Sequence, residues 1–130
     1  MREILFRGKR NGYAEQRDRD WLEGSLSVGD NGGYEICYGT PRIRITYSVI
    51  PVTVGQFTGL LDKNGKKIFE GDIVDILTEN EKIGVVAYED GGFLVNADGF
   101  CVDFHSNING TDLEVIGNIY DNPELLGAQS

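Results

Sequence analysis

The stretch Gln56-Phe57-Thr58-Gly59-Leu60-Leu61-Asp62-Lys63-Asn64-Gly65-Lys66-Lys67-Ile68-Phe69-Glu70-Gly71-Asp72-Ile73-Val74 decides how the chain is read. Two apolar runs, Gln56–Leu61 and Lys67–Phe69, flank Asp62-Lys63-Asn64-Gly65-Lys66, and Asn-Gly is the dipeptide that supplies positive φ angles in a tight hairpin turn. A second turn, Glu70-Gly71-Asp72, follows at once, and the apolar run Ile73–Thr78 begins behind it. Asn64, Gly65, Gly71 and Asp72 are therefore assigned to structural turns.

Working towards the C-terminus, Ile83–Tyr88 and Phe93–Asn96 are set off by Glu79-Asn80-Glu81-Lys82 and Glu89-Asp90-Gly91-Gly92, which is the spacing of a β-meander. Phe100, Val102 and Phe104 alternate with Cys101 and Asp103, and Leu113, Val115 and Ile119 recur around Gly117. Asn122-Pro123-Glu124-Leu125-Leu126 ends the pattern: Asn caps, Pro fits the first helical position and Glu favours the positive helix end, so one helical turn is expected there. Working towards the N-terminus, Arg42–Val49 alternates strictly. Ile43, Ile45, Tyr47 and Val49 share one face and Arg42, Arg44, Thr46 and Ser48 the other, as in a half-buried strand whose polar face meets water. Pro51 then predicts a strand end or bend. Residues 8–20 and 27–33 are poor in apolar pattern and are read as loops, with a short helix over Ala14–Trp21 as the alternative for part of the first.

The chain has 130 residues, of which 18 are Gly, about twice the average usage; strands punctuated by turns should dominate. Twelve Lys and Arg against 21 Asp and Glu give a net charge of -9, which disfavours nucleic acid and anionic membranes as partners. The charge is uneven. Residues 1–19 hold six basic and three acidic residues, whereas from Ile68 onward Lys82 is the single base among thirteen acids. No apolar stretch approaches a membrane span, and the early charges of Met1-Arg2-Glu3-Ile4 do not describe a secretory signal. A cytoplasmic location with reduced thiols is expected.

Cys37, Cys101 and His105 are too few for a disulfide framework or structural zinc, and His105 beside Ser106 makes no triad. Glu70, Asp72 and Asp75 are the acids that could serve a metal-dependent hydrolase, but a turn in which Asp accepts backbone amides accounts for them better, and no cofactor or metal is expected. Asp62-x-Asn64-Gly65 likewise reads as a turn before a calcium loop. Arg42 and Arg44, joined by Arg7, Lys9 and Arg10, would make an anion-binding stripe, with edge-strand protection the preferred alternative. Tyr13, Trp21 and Tyr34 are aromatic candidates for a partner contact or for capping the core.

The block Gln56–Val74 resembles the signature of the YopX family of bacteriophages and prophages. The opening Met1-Arg2-Glu3-Ile4-Leu5-Phe6-Arg7, the weaker Gly84-Val85-Val86-Ala87-Tyr88 and the closing Glu114–Leu126 are similar to further blocks of that family, in the same order. The resemblance implies a mostly β fold and a phage setting, and it carries no activity. Gly71-Asp72-Ile73-Val74 is also similar to a step in SH3-like barrels. The expected architecture is thus mainly β: one domain, with N-terminal strands over 1–55, an SH3-like or strongly curved barrel core over 56–126, and a C-terminal helical turn. The expected function is that of a phage accessory protein acting through host or phage protein contacts without catalysis, with Arg42, Arg44 and Trp21 as contact residues and self-association through an edge strand. The alternatives are the hydrolase of Glu70, Asp72 and Asp75, and an acidic DNA mimic built on the C-terminal half.

Overall fold

In the computed structural model, residues 4–11, 21–79, 82–104 and 109–127 are described. His105, Ser106, Tyr13 and most of the Ala14–Trp21 helix lie outside them. The chain divides into two compact units, Met1–Phe57 and Thr58–Ser130.

The first unit contains β1 (Phe6–Lys9), β2 (Trp21–Val28), β3 (Tyr34–Gly39) and β4 (Arg44–Ser48), paired antiparallel in the order β4-β3-β2-β1. Gly8, Lys9, Ser27 and Val28, read from the sequence as loop, are thus strand residues, and Trp21 opens β2 instead of closing a helix. The loop reading holds over Gly29–Gly33, where the Gly29 and Gly33 backbones bond each other. β5 (Gly55–Leu61) enters beside β1, with Gln56 opposite Phe6. At the other end of β1, Arg10 bridges Val49, the Asn11 N–H donates to the Ser48 carbonyl, and the Ile50 N–H donates to the Lys9 carbonyl. Pro51 ends β4 as expected, in a 3-10 turn over Pro51–Thr53.

The second unit holds the remainder of β5, then β6 (Lys67–Phe69), β7 (Asp72–Ile76), β8 (Lys82–Glu89), β9 (Gly92–Ala97), β10 (Phe100–Asp103), β11 (Leu113–Asn118) and the helical turn α1 (Glu124–Gly127). The meander is present: β7, β8, β9 and β10 pair in succession, and β11 joins on the far side of β7 in the order β10-β9-β8-β7-β11. The mainly β expectation is met, but by antiparallel sheets in place of a closed barrel. Leu113 and Val115 direct their backbones away from β7, and the turn after β5 covers them: the Lys63 N–H donates to the Leu113 carbonyl, and the Val115 N–H donates to Asp62 Oδ2 at 2.9 Å. The core is apolar, with Ile68, Val74, Ile76, Val86, Val95 and Leu113 all buried. Each such side chain contributes roughly 1.5–3 kcal/mol relative to exposure.

Asp62 also shapes the hairpin. Its Oδ1 accepts the Asn64 N–H at 2.8 Å and the Lys66 N–H at 2.9 Å, and the backbone closes between the Asp62 N–H and the Lys66 carbonyl. This fold of the turn needs a positive φ at one residue only, Gly65 at +81°; the tight turn expected from Asn-Gly requires two. Asp72 does for the next turn what Asp62 does here. Its Oδ2 accepts the Phe69 N–H at 2.7 Å while Gly71 takes φ +94°. Asn122 differs from expectation, since its Oδ1 accepts the Asn118 N–H, ahead of the helix it was read to cap.

Gly65 has open space where a Cβ would stand. Replacement there therefore tests conformation alone. Gly65→Val should lower stability by about 1–3 kcal/mol, and Gly65→Asn, which tolerates the left-handed region, by clearly less. Urea denaturation midpoints measure both, and equal midpoints would show that φ at this residue does not matter.

Candidate functional site

Strand pairing in the first unit sorts its side chains onto two faces. Lys9 stands opposite Trp21, Arg7 opposite Glu23, Ser25 opposite Cys37, and Cys37 opposite Thr46, so these residues share one face. Ile36, Tyr38, Ile45, Tyr47 and Val49 share the other. The two faces have different chemistry, and each contributes to the region around β4.

On the polar face, Arg7 and Lys9 are buried, with 8% and 3% of their surface exposed. The Arg7 guanidinium carbon lies 4.8 Å and the Lys9 Nζ 5.9 Å from the centre of the Trp21 ring. These geometries are cation–π contacts, which desolvation strengthens. Of the residues that could join Arg42 and Arg44 in an anion stripe, Arg7 and Lys9 are buried on the interior strand β1, against the Trp21 ring. Arg10 lies over the Tyr47 ring, 3.8 Å from its centre, and Tyr47 stacks on Tyr38 at 6.5 Å.

Further along, Ser25, Cys37 and Arg44 of the polar face, together with Tyr38, Gly39, Thr40 and Pro41, line a shallow open cleft of about 370 Å³. Arg44 Nη2 donates to Cys37 Sγ at 3.3 Å. The Thr46 hydroxyl first, and then this guanidinium, hold the Cys37 thiol below its ordinary range, because both favour the thiolate. From the sequence Cys37 reads only as one of two thiols, too few for a disulfide framework or a structural zinc site. Its partner Arg44 is seven residues away, and only the β3–β4 register brings Thr46 opposite it.

The other face of β4 departs from the half-buried strand expected over Arg42–Val49. Val49 is buried, but Ile45 is 37% and Ile43 68% exposed. Strict alternation fixes which residues share a face, and here the shared face runs past the core at the sheet edge. β4 is that edge, with Arg44 near its start and the exposed Arg42 just before it. The Val49 N–H donates to the Tyr34 carbonyl and the Thr40 N–H to the Ile43 carbonyl, so odd-numbered residues of β4 bond to β3. Arg44, Thr46 and Ser48 consequently aim their N–H and C=O groups outward. The Ser48 carbonyl is taken by Asn11, whereas among the described residues no strand pairs with Arg44 or Thr46 on that side.

The acids read as metal ligand candidates do not converge. Asp72 is buried on the Phe69 amide, and Asp75, three residues on, faces the opposite side of β7. Among the described residues no group of three His, Cys, Asp or Glu could hold a metal ion. No described helix is long and apolar enough to cross a membrane.

The site and the fold define a class: a mainly β protein whose second unit is locked by a buried hairpin carboxylate and whose first unit ends in an exposed strand edge. The chain belongs to the YopX family, whose model, described as YopX protein, matches residues 6–127. The fold is similar to the crystal structure of protein EF1440 from Enterococcus faecalis, at 24% identity and a TM-score of 0.57, over 97% of this chain and 99% of that one. It is also similar to that of protein yopX from Bacillus subtilis, at 20% identity and a TM-score of 0.55, over 97% of each chain. No curated protein matches.

The two thiols provide an internal comparison, because Cys101 is exposed, while Cys37 carries the Arg44 and Thr46 contacts. At neutral pH an aromatic disulfide reagent should modify Cys37 faster than Cys101, and Arg44→Gln should slow Cys37 alone. Single-cysteine variants report the two rates, and equal rates would remove the thiolate assignment.

Proposed function

We propose that this chain is a phage- or prophage-encoded accessory protein that works in the bacterial host cytoplasm by binding another protein, without catalysis, and that the outward edge of β4 makes the contact. The observation that carries this reading is the pairing pattern of β4, which leaves the backbones of Arg44 and Thr46 directed outward with Ile43 and Ile45 exposed beside them. A strand edge of this kind supplies main-chain affinity, and its side chains select the partner. Arg42 and Arg44 flank the edge with positive charge, which favours a partner with acids or hydroxyls at the matching positions. The non-catalytic part of the reading is supported by how the buried acids are used: Asp62 and Asp72 both hold backbone amides in turns. The phage setting is what family membership implies.

An inward-pointing charge on an edge strand blocks strand addition. Ile45→Lys is such a change at an exposed position. Captured from lysogenic cells, a partner held by the wild-type chain through high-salt washing should be missing from Ile45→Lys, with the variant's circular dichroism unchanged. Retention of the same partner by Ile45→Lys would place the contact elsewhere. A partner released by moderate salt and displaced by DNA from both chains would favour the acidic mimic.

A further inference from the structure

We infer that Asn31 is a site of spontaneous covalent modification, converted through a cyclic imide with Gly32 into aspartyl and isoaspartyl forms, and that the fold withholds the same chemistry from Asn64 and Asn109.

The sequence sets up this reaction more than once. Four of its nine asparagines, Asn11, Asn31, Asn64 and Asn109, precede glycine. Glycine admits the reaction best, because without a Cβ its amide nitrogen is open to the preceding side chain. The Gly32 nitrogen bonds to Asn31 Cγ as the Cγ–Nδ2 bond breaks, and the proton that nitrogen gives up leaves with Nδ2 as ammonia. Water then opens the five-membered ring at one of its two carbonyl–nitrogen bonds, its hydroxyl going to the carbon and its hydrogen to the nitrogen. One opening leaves Asp at residue 31, and the other routes the main chain through the former side chain as an isoaspartyl link. Water is the sole co-reactant, and a neutral amide becomes a carboxylate.

The structure decides where the attacking N–H is freed most readily, and the comparison is among the three sites whose glycine is described. Gly32 and Gly65 stand in matching turns. Each N–H donates to the carbonyl three residues earlier, that of Gly29 at 2.9 Å and that of Asp62 at 3.0 Å. Their φ angles are +84° and +81°, and both have open space where a Cβ would stand. What differs is what else must open. Over residues 29–33 the further bonds are internal to the turn, from the Gly29 N–H to the Gly33 carbonyl at 2.7 Å and from the Gly33 N–H to Asn31 Oδ1 at 2.9 Å. The turn over residues 62–66 is tied to β11 twice, through the Lys63 N–H on the Leu113 carbonyl and the Val115 N–H on Asp62 Oδ2. Freeing Gly32 is therefore a local opening, whereas freeing Gly65 disturbs a buried carboxylate and a sheet edge. Asn109 is held by Asp112, whose Oδ2 accepts its N–H and whose N–H donates to its carbonyl, both at 3.0 Å. Gly110 is buried, with the Leu61 carbonyl where a Cβ would stand.

The product changes its surroundings. Asn31 Oδ1 and Glu35 Oε2 lie 3.3 and 2.7 Å from the position of a Cβ on Gly29. A carboxylate at residue 31 thus stands within about 6 Å of Glu35 and adds like-charge repulsion there. The isoaspartyl form also lengthens the β2–β3 connection by one main-chain methylene.

The test is to hold the folded chain for days at neutral pH and physiological temperature, and to follow each site by peptide mapping with mass spectrometry that separates Asn, Asp and isoaspartyl peptides. Asn31 should be modified at least several-fold faster than Asn64 and Asn109. In concentrated urea the three sites should react at similar rates, because the unfolded chain leaves them only the shared Asn-Gly dipeptide. Equal rates in the folded chain, a faster Asn64 or Asn109, or an Asn31 that stays intact while the unfolded chain reacts would each overturn the inference. If Asn31 led by the same margin in urea, its flanking residues and not the fold would set the order, and the inference would fall as well.

Discussion

The second unit depends on one carboxylate. Asp62 is 3% exposed and accepts three backbone N–H groups, from Asn64 and Lys66 in its own turn and from Val115, 53 residues further on. Burial alone would push its pKa up. The amides of Val115, Lys66 and Asn64, helped by the Lys66 charge, outweigh that and hold the carboxyl below its usual range. The consequence is architectural. β11 reaches the sheet through β7 on one side, and on the other its outward amide would be an unsatisfied donor without Asp62. One side chain therefore sets the hairpin's conformation and satisfies an outward amide at the edge of the neighbouring sheet.

What was legible in the sequence is what is local. Asn64-Gly65, Gly71-Asp72 and the glycine-spaced apolar runs state their turns within a few residues, and the meander from β7 to β10 follows from short connections between alternating runs. Asp72 was readable as a turn acid because the amide it holds is three residues away. Asp62 was readable as part of a turn, but its bond to Val115 was not, because no local pattern records a contact across 53 residues. The two-residue positive φ expected of Asn-Gly fails for the same reason: the carboxylate next to the dipeptide reshapes the turn so that Gly65 alone needs it.

The first unit shows where pattern reading ends. Alternation identified Ile43, Ile45, Tyr47 and Val49 as one face of a strand, yet the core reaches only Val49 and part of Tyr47. The same ambiguity hides Arg7 and Lys9. As isolated letters they are surface cations, whereas on an interior strand beside Trp21 they are buried with their charge against an indole. Cys37 gains its character from Arg44 and Thr46 only once the strands are in register. Edge placement, burial of cations and thiol activation are thus properties of pairing, and they make the β4 region the chemically distinctive part of this family member.

The central claim is that the charged Asp62 side chain ties the hairpin to β11, and pH tests it directly. A carboxyl whose folded pKa is depressed contributes stability fully above its unfolded value of about 3.9, and the contribution is lost as pH falls through the folded value. Urea unfolding of the wild-type chain and of Asp62→Asn, followed by circular dichroism from neutral pH down to about pH 2, isolates this contribution as the difference between the two. The account predicts that Asp62→Asn is less stable by roughly 1–3 kcal/mol at neutral pH and that the gap narrows below about pH 4. Equal stability at neutral pH, or a gap that does not change with acid, would contradict it.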